Sequence, residues 1–118
     1  MEFNFNNTKK KYLKITLNDD EKTTLFIKTP KKSLMDKFLN LGKGDKDKNV
    51  DEDELNEVYE IIAEIMSRNT KNIKITKEKL EELLDFEDIY KFITCYTKFL
   101  LQITKQKNYK SPITSKKK

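Results

Sequence analysis

At 118 residues the chain is the size of one domain with a modest core. Its apolar residues (36%) and charged residues (38%) fall into periodic segments, which argues for a folded, soluble chain and against a disordered one. No apolar run approaches the roughly 18 residues of a membrane span, and the opening Met-Glu-Phe-Asn-Phe lacks the layout of a signal peptide.

The net charge of +5 is unevenly spread. Residues 1–14 carry four lysines against Glu2, and residues 105–118 carry six lysines and no acid. The middle of the chain is therefore mildly acidic. Basic ends on an acidic centre read as solvated tails, with a nucleic-acid contact as the alternative. The lone Cys95 has no disulfide partner within the chain, which fits a reducing intracellular compartment. Its mid-helix position reads as a small buried apolar side chain.

Residues 1–11 are expected to form a flexible segment, to which Phe3 and Phe5 could add a short third strand. Residues 12–17 alternate, with Leu13, Ile15 and Leu17 on one face. Residues 23–28 are β-branched and aromatic, and Asn-Asp-Asp-Glu-Lys between them has hairpin length. A β-hairpin over 12–28 follows. An isolated hairpin is marginal in water, so its Leu13/Ile15/Leu17/Leu25/Ile27 face must lie on helices.

Thr29-Pro30 predicts a helix start, with Thr29 as N-cap and a helix over about 30–41 that ends at Gly42. Gly42 to Asn49 has no apolar residue and reads as a mobile loop. Asp51 opens a helix over 51–68, with Glu54 at the reciprocal capping position. Leu55, Val58, Tyr59, Ile62, Ile65 and Met66 give it a clean apolar stripe. Ile73 and Ile75 anchor an extended link, and Thr76 caps a short helix over 76–84. Asp85 closes that helix and stands where it can cap the next, with Asp88 in the favourable first turn.

The last helix, 86–107, is the most apolar. Phe86, Ile89, Ile93, Tyr96 and Leu100 share a stripe expected to be core. Phe92, Phe99 and Ile103 widen it on one side, and Tyr90 and Leu101 on the other. The apolar arc covers about 200°, against the roughly 100° that a surface helix needs. The rest of the chain is expected to pack around this helix. The Phe92, Phe99 and Ile103 flank either packs under the hairpin or is a surface shared with a partner, and the second reading makes these three the candidate partner-binding residues. The expected fold is α+β and mostly α: an N-terminal β-hairpin packed on a bundle of about four helices, one domain over 12–107, with a basic disordered tail at 108–118.

The chemical inventory is thin. There is no His and no Trp, and Cys95 has no His to activate it. Gly42 and Gly44 are the only glycines, too few for a phosphate-cradling loop. Asp45, Asp47, Asn49, Asp51 and Asp53 are spaced like a calcium loop, but the turn position is Val50 and the bidentate position is Asn56, so no calcium role is expected. Glu81, Glu82, Asp85, Glu87 and Asp88 read as a solvated acidic face. No catalytic residue, metal or cofactor is expected, and the chain reads as a non-enzyme.

The order of segments resembles the small tail assembly chaperones of siphophages and prophages of Gram-positive bacteria. The resemblance is carried by the strand pair Tyr12–Leu17 and Thr24–Ile27 running into Thr29-Pro30 and Leu34-Met35-Asp36. A variable acidic loop follows, then the helix Glu57–Met66 ending Ile65-Met66-Ser67-Arg68-Asn69. Ile75-Thr76-Lys77-Glu78, Leu83-Leu84-Asp85 and Glu87-Asp88-Ile89 complete it, before an aromatic helix. It covers about residues 12–104. The resemblance implies a non-enzymatic protein of the host-cell cytoplasm that binds the tape measure protein and tail tube subunits and is absent from the mature virion. Because a tape measure protein is long and helical, a helix-in-groove contact is the implied mode. Self-association is compatible with it. The rival is a small nucleic-acid-binding phage or host regulator using its basic termini, but the helix at 76–85 is acidic where a recognition helix would be basic, and Arg68 is the only Arg.

Overall fold

The computed structural model describes residues 1–5, 10–42 and 52–110. A two-stranded antiparallel hairpin, β1 (Leu13–Thr16) and β2 (Thr24–Ile27), is followed by four α-helices. These are α1 (Lys32–Leu39), which runs into a 3-10 turn at Asn40–Gly42, then α2 (Glu52–Ser67), α3 (Lys77–Leu83) and α4 (Phe86–Lys110). The fold is α+β and mostly α.

The hairpin pairs Leu13 with Ile27 and Ile15 with Leu25. Its turn is tied by Asp19, whose carboxylate accepts from the Thr23 backbone N–H at 2.8 Å and from the Thr23 hydroxyl at 2.6 Å. Those two bonds favour the charged form and hold Asp19 below the usual carboxylate range. Leu17, Leu25 and Ile27 are buried, while Leu13 and Ile15 are half-buried against the same core. Phe3 and Phe5 form no strand. They are exposed and meet edge to face with ring centroids 4.7 Å apart.

Helix α1 begins two residues later than Thr29-Pro30 suggests. Lys31 is its N-cap and provides no side-chain bond. The cause lies in β2. Lys28 N–H donates to the Arg68 carbonyl at 2.8 Å, and the Arg68 Nε donates to the Thr29 carbonyl at 3.0 Å. Pairing with residue 68 keeps Lys28 and Thr29 outside the helix.

The central element is α2 rather than α4. Helix α1, helix α3 and strand β2 all lie against it. Its C-terminal half is buried nearly all round, taking in Ile61 and Ala63 as well as Ile62, Ile65 and Met66. Burying these five side chains stabilises the fold by roughly 8 kcal/mol before chain entropy is subtracted.

Beyond Ser67 the chain turns around Asn69, which is 1% exposed. Its side-chain amide donates to the Met66 and Ile73 carbonyls, both at 2.8 Å. Its side-chain oxygen accepts from the Lys71 and Ile73 backbone N–H groups at 3.1 and 2.9 Å. Asn69 also forms an antiparallel bridge with Ile27, and Thr70 N–H donates to the Phe26 carbonyl at 3.1 Å. The post-helix turn therefore covers the outer edge of β2. The Ser67 hydroxyl closes the loop by pairing with both backbone groups of Ile75.

Thr76 caps α3, accepting from Lys79 N–H at 3.1 Å. Asp85 and Asp88 then cap α4 reciprocally: Asp88 N–H donates to Asp85 Oδ1 at 2.9 Å and Asp85 N–H to Asp88 Oδ2 at 3.1 Å. Helix α4 continues through Lys110, so residues 108–110 belong to it rather than to the tail. The expected mobile loop, the Asp51 cap, and the tail from residue 111 lie outside the described residues, as do Asp45, Asp47, Asn49 and Val50 of the calcium-like run.

Candidate functional site

Two seams compete on α4. Ile89, Phe92, Tyr96, Phe99 and Ile103 recur at spacings of three and four, and so do Phe86, Ile89, Ile93, Tyr96 and Leu100. The structure centres the core on the first. Ile89, Phe92, Tyr96, Phe99 and Leu100 are buried, and Ile103 is half-buried against them. Tyr96 stacks on Phe92 at 5.7 Å, tilts against Phe99 at 5.9 Å, and meets Phe38 of α1 edge to face. The flank of Phe92, Phe99 and Ile103 thus packs inward, and the first two are closed to a partner in this conformation.

The surplus apolar surface emerges on the other flank. Phe86, Tyr90 and Leu101 are 57%, 64% and 61% exposed. Ile93 between them is half-buried. At 100° per residue, Phe86, Tyr90, Ile93, Thr97 and Leu101 fall within about 80° of one another. From Phe86 to Leu101 the stripe runs about 22 Å. The Thr94 and Thr97 hydroxyls beside it donate to the carbonyls of Tyr90 and Ile93, at 3.1 and 2.8 Å. Cys95 is exposed, not buried: it lies about 100° round α4 from Tyr96, at the edge of the seam rather than on it.

A second feature lies where the hairpin meets the α3–α4 junction. The Asn18 amide donates to the Leu83 carbonyl at 2.7 Å, and the Tyr59 hydroxyl donates to the Leu84 carbonyl at 3.0 Å. Both satisfy carbonyls left open at the end of α3. Burial holds Tyr59 above the usual tyrosine range, and the charges of Asp85, Glu81 and Asp88 add to the effect. Between the β1 end and this junction is a groove of about 350 Å³. Ile15, Leu17, Met66 and Phe92 give it an apolar floor, and Asp88 supplies an acid at its wall.

No family model, no curated protein and no solved structure matches this chain. The surfaces are therefore read from their own chemistry. Among the described residues no group of three or more His, Cys, Asp or Glu is placed to hold a metal ion, and no helix is long and apolar enough to cross a membrane. Sequence reasoning identified the surplus arc on α4 but not which flank is exposed. It missed the groove, whose walls come from segments some 70 residues apart.

Proposed function

We propose that the chain is a non-enzymatic tail assembly chaperone that binds the tape measure protein and tail tube subunits in the cytoplasm of the infected cell, outside the mature particle. The observation that carries this reading is the exposed stripe Phe86, Tyr90 and Leu101 on α4. An aromatic-rich row on a rigid helix is the surface an amphipathic helix of a long helical partner can lie along. The order of segments that resembles the tail assembly chaperones supports it independently. Against the regulator reading stands the acidity of residues 78–88, six acids against Lys79.

The test is co-expression with segments of a tape measure protein and with tail tube protein from the same gene cluster. Retention of either through purification, weakened by Leu101→Ser, is the expected result. If neither is retained and the chain instead shifts duplex DNA at physiological salt, the regulator reading replaces this one.

A further inference from the structure

We propose that two copies of this chain associate through the segment 111–118, with Ile113 of one copy seated in the groove beside β1 of the other and its lysines against the acidic start of α4.

The free edge of β1 follows from the hydrogen bonds of β2. Phe26 accepts from Thr70 and Lys28 donates to Arg68, so both turn their backbone groups away from β1. Backbone direction alternates along an antiparallel strand, so Leu25 and Ile27 face β1. The register sets Ile15 and Leu13 opposite them, which leaves Lys14 and Thr16 pointing outward. Among the described residues these outward groups have no backbone partner. A sheet edge of this kind accepts an extended segment. The groove opens beside it, lined by Ile15, Thr16 and Leu17.

The occupant is argued from charge, pattern and reach. Residues 78–88 carry six acids against one lysine. Ser111-Pro-Ile-Thr-Ser-Lys-Lys-Lys118 offers one large apolar side chain and three lysines. Ile113 and Thr114 are β-branched, and Pro112 is tolerated at the first position of an edge strand. The same segment cannot serve its own groove. Ile113 is three residues beyond Lys110, about 10 Å of extended chain. Phe92 in the groove is eighteen residues back along α4, about 27 Å away. The contact must therefore come from a second copy.

The test is sedimentation equilibrium of the full chain, alone and in mixtures. The wild type is expected to self-associate, more weakly as salt rises. Ile113→Asp is expected to weaken association about tenfold or more. Thr16→Pro removes an outward N–H without touching the β1–β2 ladder, and is expected to do the same, with thermal melting to verify its fold. Each variant keeps what the other lacks: Ile113→Asp has the groove and Thr16→Pro has the segment. An equimolar mixture of the two is expected to recover a heterodimer. A wild type that stays monomeric at millimolar concentration overturns the proposal, as does an Ile113→Asp chain that associates like the wild type. If Thr16→Pro does not fold, the Ile113→Asp comparison decides alone. None of these outcomes depends on tape measure binding.

Discussion

Tyr96 of α4 and Phe38 of α1 meet edge to face, with ring centroids 5.0 Å apart and planes at 84°. The contact joins the last helix to the first across the core, and the Tyr96 hydroxyl is buried with no hydrogen-bond partner among the described residues. A buried unpaired hydroxyl costs about 1–3 kcal/mol. Replacing it by hydrogen keeps the ring contacts and removes that cost. Tyr96→Phe is therefore expected to raise the melting temperature by several degrees. A lowered melting temperature would show that the hydroxyl is paired in solution.

The same hydroxyl gives stability a pH dependence. Burial raises Tyr96 from 10.0 to about 12, with the Arg68 charge opposing weakly. Between those values the folded state holds a proton that the unfolded state releases. Ionisation therefore adds no penalty below pH 10 and lowers the stability of the folded state as pH rises toward 12, by roughly 3 kcal/mol in all. Burial raises Tyr59 as well, so the comparison is with Tyr96→Phe. The wild-type melting temperature should fall more steeply between pH 10 and 12, and parallel curves would contradict the assignment.

Asn69 makes four side-chain hydrogen bonds while almost fully buried. Truncation leaves two backbone donors and two carbonyls short of partners beside β2. Asn69→Ala is expected to cost about 3 kcal/mol. Urea unfolding checks it, and a loss under 1 kcal/mol would mean that the turn re-forms without this side chain.

Ile62 is fully buried at the centre of α2. A carboxylate there has no partner, and such a group costs several kcal/mol, a large share of a small domain's stability. Ile62→Asp is expected to abolish cooperative melting seen by circular dichroism. A preserved transition would place that face at the surface.

The parts of the fold that rest on local chemistry were legible in the residues. The hairpin follows from alternation, and Thr76 and Asp85 follow from their capping positions, although the return bond from Asp85 N–H to Asp88 was not read. What escaped depends on distant partners. Thr29-Pro30 reads as a helix start until Arg68 is brought beside it. Cys95 reads as buried until the rotation of α4 is known. That rotation could not be read because both seams are apolar at every position. The choice falls to the aromatic cluster: Phe92 and Phe99 flank Tyr96, which in turn meets Phe38 on a different helix.

That rotation also decides where a partner can bind, and two substitutions separate the flanks. Phe99 is 7% exposed, and Phe99→Ser is expected to destabilise by about 3 kcal/mol or more, because it opens a cavity beside Tyr96. Leu101 is 61% exposed, and Leu101→Ser is expected to leave melting within about 0.5 kcal/mol of the wild type. Under the chaperone reading the order reverses for binding per folded molecule. Leu101→Ser combined with Tyr90→Ser should weaken capture of a tape measure segment at least about tenfold, since each exposed anchor contributes on the order of 1–2 kcal/mol. Thermal melting and a pull-down with the same purified segment give both readouts. If the double variant binds like the wild type, the α4 stripe is not the docking surface. If Phe99→Ser melts like the wild type yet loses binding, the flank now placed in the core is the one the partner uses.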